Sequence, residues 1–390
     1  MDMSLRPVVA LACLSSLLSS PVLATTYTVT AGSASDLQSK MNSAVAGDTV
    51  QVPAGTYTTS FLSNQSGGAG TSSSKVTVVG TGTSRPIFDF NWTKNSSGKS
   101  GLEIVKNYWN FQKIELKHSA TTGINIYGSG TTLLALYTHN NWNTNLQIYG
   151  GNSSYAPANN TVQYCDSYYA TYADSNTALE NYGSGTNVGN ADGFTCKFAY
   201  ISTGNSFVGC RSYYNGDDGW DFWAAPNKIT VKNCIAYRNG YFSNNASSGG
   251  DGNGIKMGGD GSTPEKHSVT NCIASTNRNN GFDYNGTPTS GEVLSQNTGY
   301  GNGARNFRLS DASVSLSYTL TNNLSVNGTS ADNPPSSGSG NVWEANSYTS
   351  SVFSSTSISS VTRNSDYSLK FGSYLLPTTS SGLSGKGASL

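Results

Sequence analysis

Two series of short segments recur along this chain at a fixed separation. The first reads VQYCDSYY, FVGCRSYYN, VKNCIAYRN, VTNCIASTN and VLSQNTGYGN; the second reads GLEI, GINI, NLQI, GFTC, GWDF, GIKM, GFDY and NFRL. Ile114 and Asn125, Leu136 and Gln147, Cys210 and Asp221, Cys272 and Asp283, and Asn297 and Arg308 are each eleven residues apart. Apolar and polar residues alternate within each segment, as in a strand with one buried face. A coil of 22 residues from Asn125 to Gln147, or 27 from Lys256 to Asp283, holding several such strands predicts an all-β, parallel β-helix. Leucine-rich repeats have a similar period but need a leucine ladder that is absent. An antiparallel sandwich would not keep the spacing. Two coils are longer: Cys165 to Thr195 carries nineteen extra residues and Cys234 to Lys256 eleven.

That register gives the cysteines a role. Six are present, one in the first 24 residues, and an odd remainder makes a poor disulfide framework. Cys165, Cys210, Cys234 and Cys272 occupy equivalent inward positions and are expected to stack unpaired. An amphipathic helix is expected from about Ser35 to Ala46, capping the open end of the stack. Past about Ser330 the repeats fade into Ser-rich sequence expected to wrap the other end. Arg6, a short apolar run and PVLA predict a secretory signal peptide over 1–24, followed by one domain over 25–390. Sequons such as Asn64-Gln-Ser and Asn285-Gly-Thr would permit N-glycosylation in a eukaryotic secretory route. A formal net charge of zero argues against nucleic acid or an anionic membrane as partner, and a monomer is expected.

The outward position of the second series reads Glu103, Asn125, Gln147, Thr195, Asp221, Lys256, Asp283, Arg308. Adjacent strands lie about 4.8 Å apart, so Lys256 stands one rung above Asp221 and Arg308 two rungs above Lys256. The preceding turn gives a second column: Asp192, Asp218, Asn253, Asn280. Asp192, Asp217, Asp218 and Asp221 therefore converge on one patch, where each raises its neighbours' pKa. A solvated acidic turn is the plain reading of NGDDGWDFW. A hard divalent cation relieves the repulsion better, and Ca²⁺ suits oxygen ligands outside the cell. His118, His139 and His267 fall outside the cluster, which argues against Zn²⁺. Lys256, flanked by glycines in GNGIKMGG, is either a surface lysine pairing with Asp221 or Asp283 or a functional amine. The two insertions precede the strands of the Asp192 and Lys256 coils and are expected to wall a groove there.

An acidic polysaccharide suits such a groove. Its uronate would bridge to the metal, and Arg308 and Asp283 are the candidate substrate-binding residues. Lys256, its pKa lowered by nearby Ca²⁺, would take the C5 proton and the C4 oxygen would leave. NADGF, NGDDGWDFW and DGNGIKMGG together resemble the calcium and base motifs of polysaccharide lyase family 9, which includes pectate lyases. The resemblance implies a right-handed β-helix, a calcium ion held by Asp192, Asp217, Asp218 and Asp221, and Lys256 as base. It implies a secreted, calcium-dependent pectate lyase acting on polygalacturonate or pectin of plant cell walls. A rhamnogalacturonan lyase with the same site, a glycosidase on the same fold and a non-catalytic carbohydrate-binding β-helix remain alternatives.

Overall fold

The structure, a computed structural model, describes residues 23–170, 189–310, 315–343 and 348–389. Each coil contributes three short strands, as in Thr132–Leu134, Tyr137–His139 and Leu146–Tyr149, and each strand joins a different sheet. Among the described residues the three long sheets hold eleven, ten and nine strands, in sequence order of the coils. Every strand pair in them is parallel, so the chain is a β-helix. Period-2 alternation turns one face of each strand inward, and equivalent residues stack from coil to coil. Phe111, Leu133, Val162, Phe207, Val231 and Val269 form one such column, all buried.

Two corners keep the coils in register. At the first, Tyr164, Asn233, Asn271 and Gln296 adopt positive φ just before Cys165, Cys234, Cys272 and Asn297. The expected cysteine ladder follows: the N–H groups of Cys210 and Cys234 donate to the sulfurs of Cys234 and Cys272 at 3.3 and 3.4 Å. Asn297 and Asn323 continue it as amides. All four cysteines are buried and free, as is Cys196 on another strand. At the second corner, Asn215, Asn239, Asn277 and Asn302 form an amide ladder, each side-chain oxygen accepting the N–H of the one below at 3.0–3.3 Å. This ladder fixes the turns that lead into the nine-stranded sheet. Replacing buried amides by apolar groups there would orphan backbone N–H groups, a costly change.

The capping helix is present but shorter than the sequence suggests. It spans Ala34–Ser43, with Ser33 accepting the Asp36 N–H, and buries Leu37 and Met41. Ala44 is already extended, because the Asp48 carboxylate takes the N–H groups of Val45 and Thr25 at 2.9 and 2.7 Å and turns the chain into its first long strand. The C-terminal segment also departs from expectation. Trp343 does pack on Phe307 near the far end of the stack. Residues 350–388 then run back along the outside of the ten-stranded sheet. Phe353, Val361, Phe371 and Leu375 cover outward-facing Ile235, Ile273, Leu324 and Val326. Those four apolar side chains on an outer face are what the segment buries. Residues 1–22 of the expected signal peptide lie outside the described residues. Among those described, no helix is long and apolar enough to cross a membrane.

Candidate active site

The nine-stranded sheet carries the expected column without a slip. Glu103 pairs with Asn125, Asn125 with Gln147, Gln147 with Thr195, Thr195 with Asp221, Asp221 with Lys256, Lys256 with Asp283, and Asp283 with Arg308. The turn column is equally regular. Asp192 accepts the N–H of Asp218 at 3.3 Å, Asp218 that of Asn253 at 2.7 Å, and Asn253 that of Asn280 at 3.1 Å.

This ladder aims the acids. One oxygen of each carboxylate is anchored by main chain: Asp192 by Asp218, Asp217 by Asp251 at 2.5 Å, Asp218 by Asn253, and Asp221 by Trp223 at 2.9 Å. Among the described residues, the second oxygen of Asp217 is buried without a partner, and that of Asp218 meets only the Lys256 ammonium, at 3.3 Å. An oxygen from each of Asp192, Asp218 and Asp221 lies within 4.8 Å of the others. The four side chains are at most 2 % exposed. Burial, then the charge of Asp192, pushes Asp217 up to about 8; burial and the charge of Asp217 push Asp218 well above the ordinary carboxylate range. The carboxylates form two overlapping groups, Asp192 with Asp218 and Asp221, and Asp217 with Asp218 and Asp251, all buried but Asp251. One of their oxygens has no partner and no His or Cys stands among them, which fits a hard cation with oxygen ligands such as Ca²⁺.

Two ammonium groups reach into the cage. Lys256 Nζ stands 3.3 Å from Asp218, 3.5 Å from Asp221 and 3.0 Å from Asp251. Burial acts to lower its pKa, but Asp218, Asp221 and Asp251 outweigh burial and hold it above the ordinary lysine range. The lowered pKa expected from the sequence therefore requires the charge of a bound ion; with the acids alone the direction is reversed. Lys197, which the sequence reading passed over, bridges Asp192 and Asp221 at 2.9 and 2.6 Å and is 6 % exposed. Period-2 alternation from Thr195 would have placed it on this face. Asp251 was also missed, because it ends the inserted segment of the Lys256 coil, whose path no repeat dictates. That insertion brings Asp251, with a 58 % exposed side chain, to the Lys256 ammonium. The insertion before Asp192 falls largely at 171–188, outside the described residues. Arg308 and Asp283 lie where expected but bind each other, Nη1 to Oδ1 at 3.2 Å.

An aromatic wall runs beside the column. Tyr127 meets Tyr149 at 5.4 Å between centroids, Tyr149 meets Phe198 at 5.2 Å, and Phe198 meets Trp223 at 5.7 Å, all edge to face. Such rings offer apolar faces next to a polar floor, a usual lining for a pyranose.

Residues 23–327 match the family model described as "Pel9A-like, right handed beta helix region". The chain is 31% identical over 372 residues to pectate lyase L of Paenibacillus polymyxa, covering 90% of this chain and 79% of that one. It is 30% identical to pectate lyase PEL9 of Emericella nidulans, covering 87% of both. The crystal structure of pectate lyase Pel9A superposes with a TM-score of 0.73 at 25% identity, over 91% of this chain and 89% of that one. A rhamnogalacturonan lyase superposes at 0.71 with 20% identity, over 93% and 99%, and shares the fold.

Proposed function

Because the chain belongs to the Pel9A-like, right-handed β-helix family, we propose that the acid cage and Lys256 cleave polygalacturonate by β-elimination with Ca²⁺ bound, outside the cell. The chain is a polysaccharide lyase of the pectate-lyase kind. What supports the mechanism is one arrangement: adjoining buried carboxylates of Asp217 and Asp218, one with an unpartnered oxygen, stand with the Lys256 ammonium 3.3 Å from Asp218. Asp192, Asp217, Asp218 and Asp221 would hold Ca²⁺, which when bound would draw charge from the uronate carboxylate and acidify the neighbouring C5–H.

Lys256 has the position of a base. Its strand fixes it one rung from Asp221, with its ammonium 3.3 Å from Asp218. As the free amine it takes the C5 proton; the C5 electrons form the C4–C5 double bond, and the C4 glycosidic oxygen leaves with its electron pair and gains a proton from water. The product carries a 4,5-unsaturated sugar. Arg308, fixed against Asp283, would orient a uronate farther along the chain. The leader and the sequons support a secreted enzyme.

The direct test is ultraviolet absorbance on polygalacturonate with Ca²⁺ and then with EDTA. A rise that chelator abolishes is the expected result. A chelator-resistant rise removes the metal role, and saturated products would mean hydrolysis.

A further inference from the structure

Below the acid cage, on the same sheet, lies a pocket of about 360 Å³. Its floor is Asn125 and Gln147, the column members three and two rungs short of Lys256's neighbour Asp221. Tyr127 and Tyr149 form one wall and Thr144 the other. Amide and hydroxyl groups here can donate to and accept from sugar hydroxyls, and the rings can cover a pyranose face. A 1,4-linked pyranose chain advances by roughly one strand spacing of about 4.8 Å per residue, so a chain reacting at Lys256 would continue into this pocket.

The charges in it are unsuited to a free carboxylate. Among the described residues, Lys197 is the one charged group lining the pocket, and its ammonium is already engaged by Asp192 and Asp221. Acids close both ends: Thr144 Oγ1 lies 3.3 Å from Asp192, and Tyr127 Oη lies 3.5 Å from Glu103. Each acid already holds a lysine, Asp192 that of Lys197 and Glu103 that of Lys99 at 2.8 Å, so an anion held between them would be desolvated without a free cation to pair with.

We propose that this pocket is a saccharide subsite for an uncharged pyranose, a methyl-esterified galacturonate or a neutral sugar, about three to four residues along the chain from the uronate that reacts at Lys256. The inference rests on the lyase reading above and adds the substrate pattern. The enzyme would then favour a chain whose charged residue at the cage is accompanied by an uncharged one toward Asn125.

The test compares kcat/KM on polygalacturonate, on partly methyl-esterified pectin and on an alternating rhamnose–galacturonate polymer, for the wild type, Gln147→Ala and Gln147→Lys. Gln147 lies on the outer face, and near-ultraviolet circular dichroism checks that each variant is folded. The wild type is expected to retain or gain kcat/KM on partial esterification, with the alternating polymer separating an ester from a neutral sugar as the preferred occupant. Gln147→Ala should raise KM severalfold with kcat little changed. Gln147→Lys should shift the ratio about tenfold toward unesterified polymer. A wild-type rate that falls in proportion to esterification, together with a ratio unmoved by Gln147→Lys, overturns the proposal. If the wild type produces no unsaturated product at all, the lyase mechanism has failed. Calorimetry of esterified and free galacturonate oligomers on Lys256→Ala then reads the pocket without turnover, and tighter binding of the free oligomer counts against the subsite.

Discussion

The Lys197 ammonium stands 2.6 Å from Asp221 and 2.9 Å from Asp192, inside the cage that the four acids form. Burial alone would depress its pKa, but Asp192 and Asp221 hold it above the ordinary lysine range, so it stays charged. It offsets repulsion that would otherwise fall on a bound ion alone. Removing one member of a buried ion pair costs about 3–5 kcal/mol. Lys197→Ala should therefore unfold at a clearly lower temperature in EDTA and recover part of that loss in Ca²⁺. Calorimetry under both conditions reads this, and an equal loss in each would deny Lys197 any link to the metal site.

Lys256 is tested by two substitutions that separate base from charge. Lys256→Ala should keep the Ca²⁺-dependent rise in melting temperature and lose turnover by roughly 10²–10⁴-fold, the usual worth of a positioned proton acceptor. Lys256→Arg keeps a cation in the cage, but a guanidinium is not deprotonated in proteins. It should be as inactive as the alanine variant. Substantial activity in the arginine variant would make Lys256 an electrostatic group only.

The coil architecture and the acid cage were readable from the sequence because a β-helix converts a linear repeat into vertical columns. Once Cys210 and Asp221 share a spacing with Cys272 and Asp283, the neighbours of Lys256 follow from the register alone. The same logic extended by two residues gives Tyr127, Tyr149, Lys197 and Trp223, the residues after each column member on the same face. Two of these build the pocket walls and one enters the cage. Asp251 had no such signal, since it stands at the end of an insertion. The path of residues 350–388 was equally hidden: Ile235 and Ile273, next to inward Cys234 and Cys272, point outward as alternation requires, but no repeat says that Phe353 and Leu375 cover them.

Glu292 gives a pH signature away from the metal cage. It is fully buried opposite Tyr318, accepts the His267 N–H at 2.8 Å through one oxygen, and leaves the other unpartnered. Burial pushes its pKa from 4.5 up to about 8. The folded state thus holds this proton more tightly than the unfolded chain. Its stabilising contribution is complete below pH 4.5 and is lost as pH rises through 8. Glutamine has no proton to lose. Glu292→Gln should match the wild type near pH 4 and exceed it near pH 8, by a few kcal/mol on a scale of ~1.4 kcal/mol per pKa unit. Melting temperatures measured across that range decide it; parallel curves would mean that Glu292 is already satisfied as an anion.

Asp166 ties the C-terminal segment to the coils. Its buried carboxylate takes Arg211 Nε and Nη2 at 2.8 and 2.6 Å, and Arg363 Nη2 at 2.5 Å from 197 residues away. Burial acts to raise its pKa, and the two guanidiniums outweigh that. Removing either arginine leaves the other on the carboxylate, so each single alanine variant should lose about 1.5–3 kcal/mol, as for a hydrogen bond to a charged group. Removing both leaves a buried charge with no cation, and the double variant should lose more than the sum. Arg363 lies against the ten-stranded sheet, away from the acid cage, so Arg363→Ala should free the C-terminal segment to limited proteolysis while kcat/KM stays near wild type. A strictly additive double-mutant cycle in urea would show that Asp166 is satisfied by other groups once both arginines are gone.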